Sequence, residues 1–386
     1  LKRLLVLSNG AGEDAIAVRI LGRLPQPVRD AVLCCPLVGP GKALEEGHFE
    51  LVGPRVLPPS EGLFRESWSL AMRDLWQGVL AGHLRQLAFL RQQRDRFALT
   101  LSVGDLFPVL WAGLAGLTSQ IFVGTAKSVY HHPYSLPERA VLRRFCHTVM
   151  VRDQATAQRL SGQGLPACWL GNAMMDEIAP TGRPLPLAPE GPLLTLFPGS
   201  RQQAPEVLPF QLEVVARLRS RFANLQAAVA AAPGAGQAAD LSACCLEQGW
   251  ELHSCPGEGA LGVLQRDGLA VPILQRRLGD LLARSSVVLG QAGTANEQAA
   301  GAGVPVVAFD QRGEKGLRWY RKRQKGLLGE AVKVVPQTLD SVVEELAQLL
   351  SDPAERERRG QIGRQRMGPA GGTQRMADVI CQLWNG

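Results

Sequence analysis

Three short stretches of this sequence combine residue types and spacings that can do chemistry. Phe197-Pro198-Gly199-Ser200-Arg201 follows an apolar run and leads into a helical pattern. Backbone amides at such a turn, with a hydroxyl and a guanidinium beside them, suit a diphosphate. Gly290-Gln291-Ala292-Gly293-Thr294-Ala295-Asn296-Glu297-Gln298 lies between the apolar runs SVVLG and VPVVAF. Its small residues let a ligand approach a helix N-terminus, and Glu297 or Gln298, one turn in, can accept from the two hydroxyls of a ribose. Alone, this stretch also fits a glycine-rich turn with a solvated glutamate; PGSR beside it favours the ligand. The third is Asp105, a carboxylate at the end of the apolar run ALTLSV. It can take a proton as a general base or cap the helix that follows, and both readings stand.

Gly10-Ala11-Gly12-Glu13-Asp14-Ala15 matches G-x-G-x-x-A, but the acid a dinucleotide site needs some twenty residues on is missing. Gly234 to Ala239 matches the same pattern, so the match alone is weak. What remains is a glycine-rich strand-to-helix turn from Ser8 to Asp14. Its acids, Glu13 and Asp14, either cap the helix or act on a ligand directly. His131 and His132 are secondary proton carriers, or polar surface residues.

These groups need elements to hold them. LLVLS at 4–8, ALTLSV at 98–103, QIFVG at 120–124, HTVMVR at 147–152 and ACWLG at 167–171 alternate with helical stretches. Short apolar strands alternating with helices imply a parallel sheet covered on both faces. Residues 179–192, APTGRPLPLAPEGP, hold five prolines and read as a semi-rigid linker. Beyond it the alternation restarts with LLTLFPGS, LQAAVAAAP, WELHSC, LAVPIL, SVVLGQ and VPVVAFD, and the last 50 residues are helical. The expected organisation is an N-terminal domain over 1–178, the linker 179–192, and a C-terminal domain over 193–368. A last helix, 369–386, can cross back to the first domain. Each domain carries a Rossmann-like parallel sheet whose ligand lies beyond the strand carboxyl ends, in the cleft the two domains face.

Composition narrows the class. Over 386 residues, 46% are hydrophobic and 20% charged, which excludes disorder, collagen-like repeats and coiled coil. The net charge of +7 is a mild excess rather than a polybasic tail, and nucleic acid is not an expected partner. Only seven of the 42 cations are Lys, which fits a GC-rich genome or else a weakly cationic, anion-binding surface. Eight cysteines without C-x-x-C spacing, and no H-x3-H spacing to join them, point to no zinc site and to free thiols in a reducing cytosol. The apolar start LKRLLVLSNG is too short for a signal peptide. Leu106 to Ala126 is uncharged and as long as a membrane span, but Pro108, three glycines and Thr118-Ser119-Gln120 point to a buried helix and then a strand. The segment 62–95 mixes Leu63, Trp68, Leu70, Met72, Leu75, Trp76, Val79 and Leu80 with Arg65, Arg73, Arg85 and Arg91. It is an amphipathic helix packed on the sheet, or a patch that meets a lipid surface. The expected location is the cytoplasm, with room for a peripheral contact at the inner face of the cytoplasmic membrane.

SNGAGED at 8–14, VGDLFP at 103–108, WLGNAMMDE at 169–177, LFPGSR at 196–201 and GTANEQAAGAGVPVV at 293–307 together resemble the family of lipid-A-disaccharide synthase and its related proteins. They come in family order across nearly the whole chain, and NGAGED in place of AGExSGD is nearer the related branch. The resemblance implies an α/β GT-B fold and an inverting glycosyltransferase. Its donor would be a nucleotide-sugar, UDP-linked, and its acceptor lipid-linked, with no cofactor or metal. Gly199, Ser200, Arg201, Gly293, Thr294, Asn296, Glu297 and Gln298 would bind the donor in the second domain. The family's ribose-binding Glu falls on Gln298, with Glu297 adjacent. Asp105 sits where the family has a base, joined as catalytic candidates by Glu13 and Asp14. Asn9, Gly10, Gly12, His131 and Asn172 fall on the acceptor side. The alternatives are a UDP-sugar 2-epimerase, whose family pairs glutamates where this chain has Glu297-Gln298, and a nucleotide-sugar-binding protein without turnover. Acceptor-dependent UDP release separates them.

Overall fold

A computed structural model of the chain describes residues 2–57, 79–199, 204–232, 243–310 and 315–385. They divide into two compact units, Leu1–Ala173 with Ala370–Gly386, and Met174–Pro369.

In the first unit, β1 (Arg3–Ser8), β2 (Val32–Pro36), β3 (Phe97–Gly104), β4 (Gln120–Gly124), β5 (Cys146–Val151) and β6 (Ala167–Cys168) form one sheet in the order β2-β1-β3-β4-β5-β6. Every pairing is parallel. Side chains alternate across a strand, and β1 shows why its run must be apolar throughout. Leu4 and Val6 pack with Ala17 and Ile20 of α1 (Ala11–Leu21) and with Ile380 of the C-terminal helix Gly372–Asn385. Leu5 and Leu7 face the other way, against Leu90 of α2 (Val79–Gln93) and Ala112 of α3 (Leu106–Leu114). Each such buried aliphatic side chain contributes about 1.5–3 kcal/mol, largely offset by the entropy of ordering the chain. The uncharged stretch after Asp105 is helix α3 followed by strand β4. Because β1 lies between β2 and β3, the strand order reverses beside β1, and ligands bind at such reversals.

In the second unit, β7 (Leu193–Phe197), β8 (Gln226–Ala231), β9 (Glu251–His253), β10 (Ala260–Arg266), β11 (Leu269–Gln275), β12 (Val287–Gly290), β13 (Val306–Asp310) and β14 (Val332–Pro336) form a sheet in the order β14-β13-β12-β7-β8-β11-β10-β9. The sheet is parallel as expected from β14 through β11, and one edge departs from that pattern. β10 runs antiparallel to both β11 and β9. Asp267 and Gly268 join β10 to β11 with φ of 51° and 76°, the two positive values a tight hairpin turn requires. The reversal of strand order falls between β7 and β12, where Phe197 pairs with Gly290.

The proline-rich stretch is clipped onto this second unit. The amides of Thr181 and Gly182 donate to Asp280, Arg277 donates to the carbonyls of Arg183 and Pro184, and Arg284 donates to those of Ala188 and Gly191. Prolines supply no amide for a sheet ladder, so arginine side chains satisfy these carbonyls of the stretch instead. The Arg277–Asp280 pair holds the Asp280 carboxyl below its usual range: burial pushes it up, and the bonds from Arg277 and Thr181 outweigh that.

Two further helices flank the glycine-rich loop that follows β12, α4 (Thr294–Ala302) and α5 (Lys315–Leu328). A third, α6 (Pro353–Met367), lies against α4 so closely that a Cβ at Gly363 would overlap the Ala300 carbonyl, and one at Gly360 would overlap that of Gly303. No helix among the described residues is long and apolar enough to cross a membrane.

Candidate functional site

In the first unit, the residues that follow β1 and β3 meet. Ser8 pairs with Val103 at the strand ends, so Asn9 and the Gly104-Asp105 step emerge side by side. Asn9 Nδ2 donates to Asp105 Oδ1 at 2.7 Å, and the amide of Phe107 donates to the same oxygen at 2.8 Å. The second bond makes Asp105 the N-cap of α3. Capping therefore occupies Oδ1, while Oδ2 has no hydrogen-bond partner among the described residues. The cap and base readings are compatible, because they use different oxygens.

Glu13 joins this cluster. Thr125, which follows β4, donates from Oγ1 to Glu13 Oε1 at 3.4 Å. The Glu13 carboxylate also folds back over Gly10, where an added Cβ would lie 2.7 Å from Oε2. Gly10 is the N-cap of α1 and makes no side-chain cap, and a Cβ at Gly12 would meet open space. Asp14 parts from its neighbour. Only 2% exposed, it accepts from Ser8 Oγ at 2.5 Å. Burial pushes its carboxyl up to about 6, against the Ser8 bond and with the Glu13 charge adding to it. Asp14 braces the turn from inside, which corrects its place among the catalytic candidates. Consecutive helix positions are about 100° apart, so one acid faces outward and the next faces the core.

His131 closes a turn through backbone bonds with Ser128 and meets the His132 ring edge-on at 4.1 Å. Asn172 is buried, and its backbone lies against Gly372, where a Cβ would come within 3.1 Å of the Asn172 nitrogen.

In the second unit, Gly199 follows β7 with φ of 96°, a conformation that favours glycine, and Ser200 and Arg201 lie outside the described residues. Gly293 is the N-cap of α4 and Thr294, its first residue, is exposed. Asn296 is fully buried and donates from Nδ2 to the Gly290 carbonyl at 3.0 Å. It holds the turn closed rather than facing a ligand. Gln298 also turns inward, donating to the Met174 carbonyl at 2.9 Å and to Glu177 Oε2 at 3.0 Å. Its amide nitrogen ties Met174 and Glu177 to α4 within the second unit, so the ribose contact expected of Gln298 rests on its Oε1. Glu297 is 5% exposed, which leaves Gly293 and Thr294 as the open face of this helix start.

No protein-family model matches the chain. It is 25% identical over 243 residues to the lipid-A-disaccharide synthase of Geobacter sulfurreducens, a match spanning 57% of this chain and 58% of that relative. Among solved structures, the calicheamicin glycosyltransferase CalG4 superposes with a TM-score of 0.63 at 14% identity, covering 100% of this chain and 98% of that one. The UDP-GlcNAc 2-epimerase of Neisseria meningitidis, bound to UDP-GlcNAc, gives 0.55 at 12% identity with 99% of each chain covered. The chain has the GT-B fold.

In this GT-B chain, motif reasoning missed the side chains behind the Gly290–Gly293 loop. Gln291 bridges strands, donating from Nε2 to the Phe309 carbonyl at 2.7 Å. Gln324 and Arg321, both buried on α5, bond to the loop from behind. The available signal was the helical spacing of Arg321, Gln324 and Leu328, which puts two polar residues on an apolar face.

Proposed function

We propose that the protein is an inverting glycosyltransferase that moves a sugar from a UDP-sugar to a lipid-linked acceptor. The observation that carries this reading is the Asp105 carboxylate, fixed through Oδ1 with Oδ2 left without a partner among the described residues. A general base needs this arrangement: one oxygen held in place and one available. Oδ2 takes the proton of the acceptor hydroxyl. The hydroxyl oxygen bonds to the anomeric carbon from the face opposite UDP, and the bond from that carbon to the diphosphate oxygen breaks. UDP leaves with the electron pair, so the anomeric configuration inverts. Gly199, Ser200, Arg201, Gly293 and Thr294 hold the diphosphate, where amides and a guanidinium stabilise the charge that develops. The synthase relative supports this choice of reaction and acceptor. Such an acceptor would bring the protein to a membrane surface, and exposed Leu80 and Leu84 with Arg85 on α2 offer apolar and cationic groups for it.

The test is UDP release from a panel of UDP-sugars with and without lipid acceptors. Release that requires an acceptor is the expected result. Epimerised UDP-sugar formed without any acceptor would assign the protein to the other enzyme class found on this fold.

A further inference from the structure

The donor-side loop is gripped from behind by one face of α5. Gln324, fully buried, donates from Nε2 to the carbonyls of Ala292 at 3.1 Å and Gly293 at 3.0 Å. Its Oε1 accepts from Arg321 Nη1 at 2.9 Å and from Asn296 Nδ2 at 3.4 Å. Arg321 Nη2 donates to the Gln291 carbonyl at 3.0 Å. Three successive carbonyls, of residues 291, 292 and 293, are thus bound by side chains of a single helix face.

The peptide bond gives this grip a consequence. In a trans peptide the N–H points opposite to the preceding C=O. Holding those three carbonyls toward α5 turns the amides of Ala292, Gly293 and Thr294 to the other side. None of the three amides donates to a group among the described residues. Successive amides facing one way at a helix start form a cradle for an anion with several oxygens.

We propose that Gln324, backed by Arg321, is a positioning residue that sets the preference for a nucleoside diphosphate over a monophosphate. This inference rests on the donor-site reading above. Gln324 touches no ligand; it acts by fixing the direction of three amides. The second phosphate is the group that gains from them, so losing the grip penalises UDP more than UMP.

The experiment compares UDP and UMP binding by calorimetry in the full chain, in Gln324→Glu and in Arg321→Lys. A carboxylate at 324 keeps the Arg321 and shape terms but cannot donate to Ala292 or Gly293. Gln324→Met, neutral and of similar length, must lower the ratio too if lost donation rather than added charge is the cause. In the wild type, UDP should bind about 10-fold or more tighter than UMP, and Gln324→Glu should bring the ratio to within about threefold. Arg321→Lys should lower the ratio by a smaller factor, and it decides the matter if Gln324→Glu shows no cooperative melt. General destabilisation would weaken both nucleotides alike and leave the ratio in place. A wild type that binds UDP, with the ratio unchanged in the folded variants, overturns the role of Gln324 alone. A wild type that binds neither nucleotide overturns the donor reading and this inference with it.

Discussion

Asn9 and Asp105 are joined at the strand reversal of the first unit, Asn9 Nδ2 donating to Asp105 Oδ1 at 2.7 Å. They are 96 positions apart in sequence, and the parallel register of β1 and β3 brings them together. Gly104 makes the contact possible. Its φ is 132°, and a Cβ there would overlap the Asn9 side-chain oxygen and come within 3.0 Å of Glu13 Cγ.

Gly104→Ala should therefore strain the backbone and push Asn9 off Asp105 together. Thermal melting should show a loss of about 1–3 kcal/mol, and UDP release should fall in the protein that remains folded. A variant with wild-type stability and turnover would mean that the close approach at Gly104 carries no weight.

Asp14 should make stability fall with rising pH over a definite window. Its folded carboxyl titrates at about 6 against 3.8 unperturbed, so between those values the folded state holds the proton more tightly. This stabilising contribution is fully present below about 3.8 and is lost as pH rises through about 6. Asp14→Asn keeps an acceptor for Ser8 without the charge. Denaturant melts at pH 7.5 should show it more stable than wild type by up to about 3 kcal/mol, with the difference shrinking toward pH 4. An unchanged or reversed pH dependence would remove buried Asp14 as its source.

The lipid-surface reading can be tested on residues that do not support the core. Leu80 and Leu84 are 54% and 55% exposed on α2, so Leu80→Ser with Leu84→Ser should leave the melt unchanged. Wild type should sediment with anionic vesicles and less with neutral ones, more weakly as salt rises, and the double variant should bind less. Equal sedimentation of variant and wild type would exclude this face. Trp68 and Trp76, which the sequence puts in the same amphipathic stretch, lie outside the described residues.

The two units and most of their strands were legible because buried parallel strands must be short, apolar and separated by helices. Val32–Pro36 and Val332–Pro336 are not among the strands expected from the sequence, and a third exception is instructive. Ala260–Arg266 pairs with Leu269–Gln275 through Asp267-Gly268, a hairpin signal hidden within a segment that otherwise repeats strand and helix. At the site, residue type identified Asp105 and the glycine-rich turns. Direction was a different matter: Glu13 and Asp14 are adjacent yet meet different partners, Thr125 and Ser8, and the Gln298 amide nitrogen turns to Glu177. Gln324 had only its helical spacing with Arg321 to mark it as a polar residue turned inward; its bonds to a loop over thirty residues earlier are a packing relationship that spacing does not encode.

The central claim is that the unbonded oxygen of Asp105 takes the acceptor proton. Asp105→Asn keeps Oδ1 to accept from Phe107 and so keeps the cap, but has no basic carboxylate. The deciding measurement is acceptor-dependent UDP release by this variant beside its UDP dissociation constant. Turnover should fall on the order of 100-fold or more while the UDP constant stays within about twofold. Turnover near the wild-type rate would contradict the account and leave Asp105 as a helix cap only.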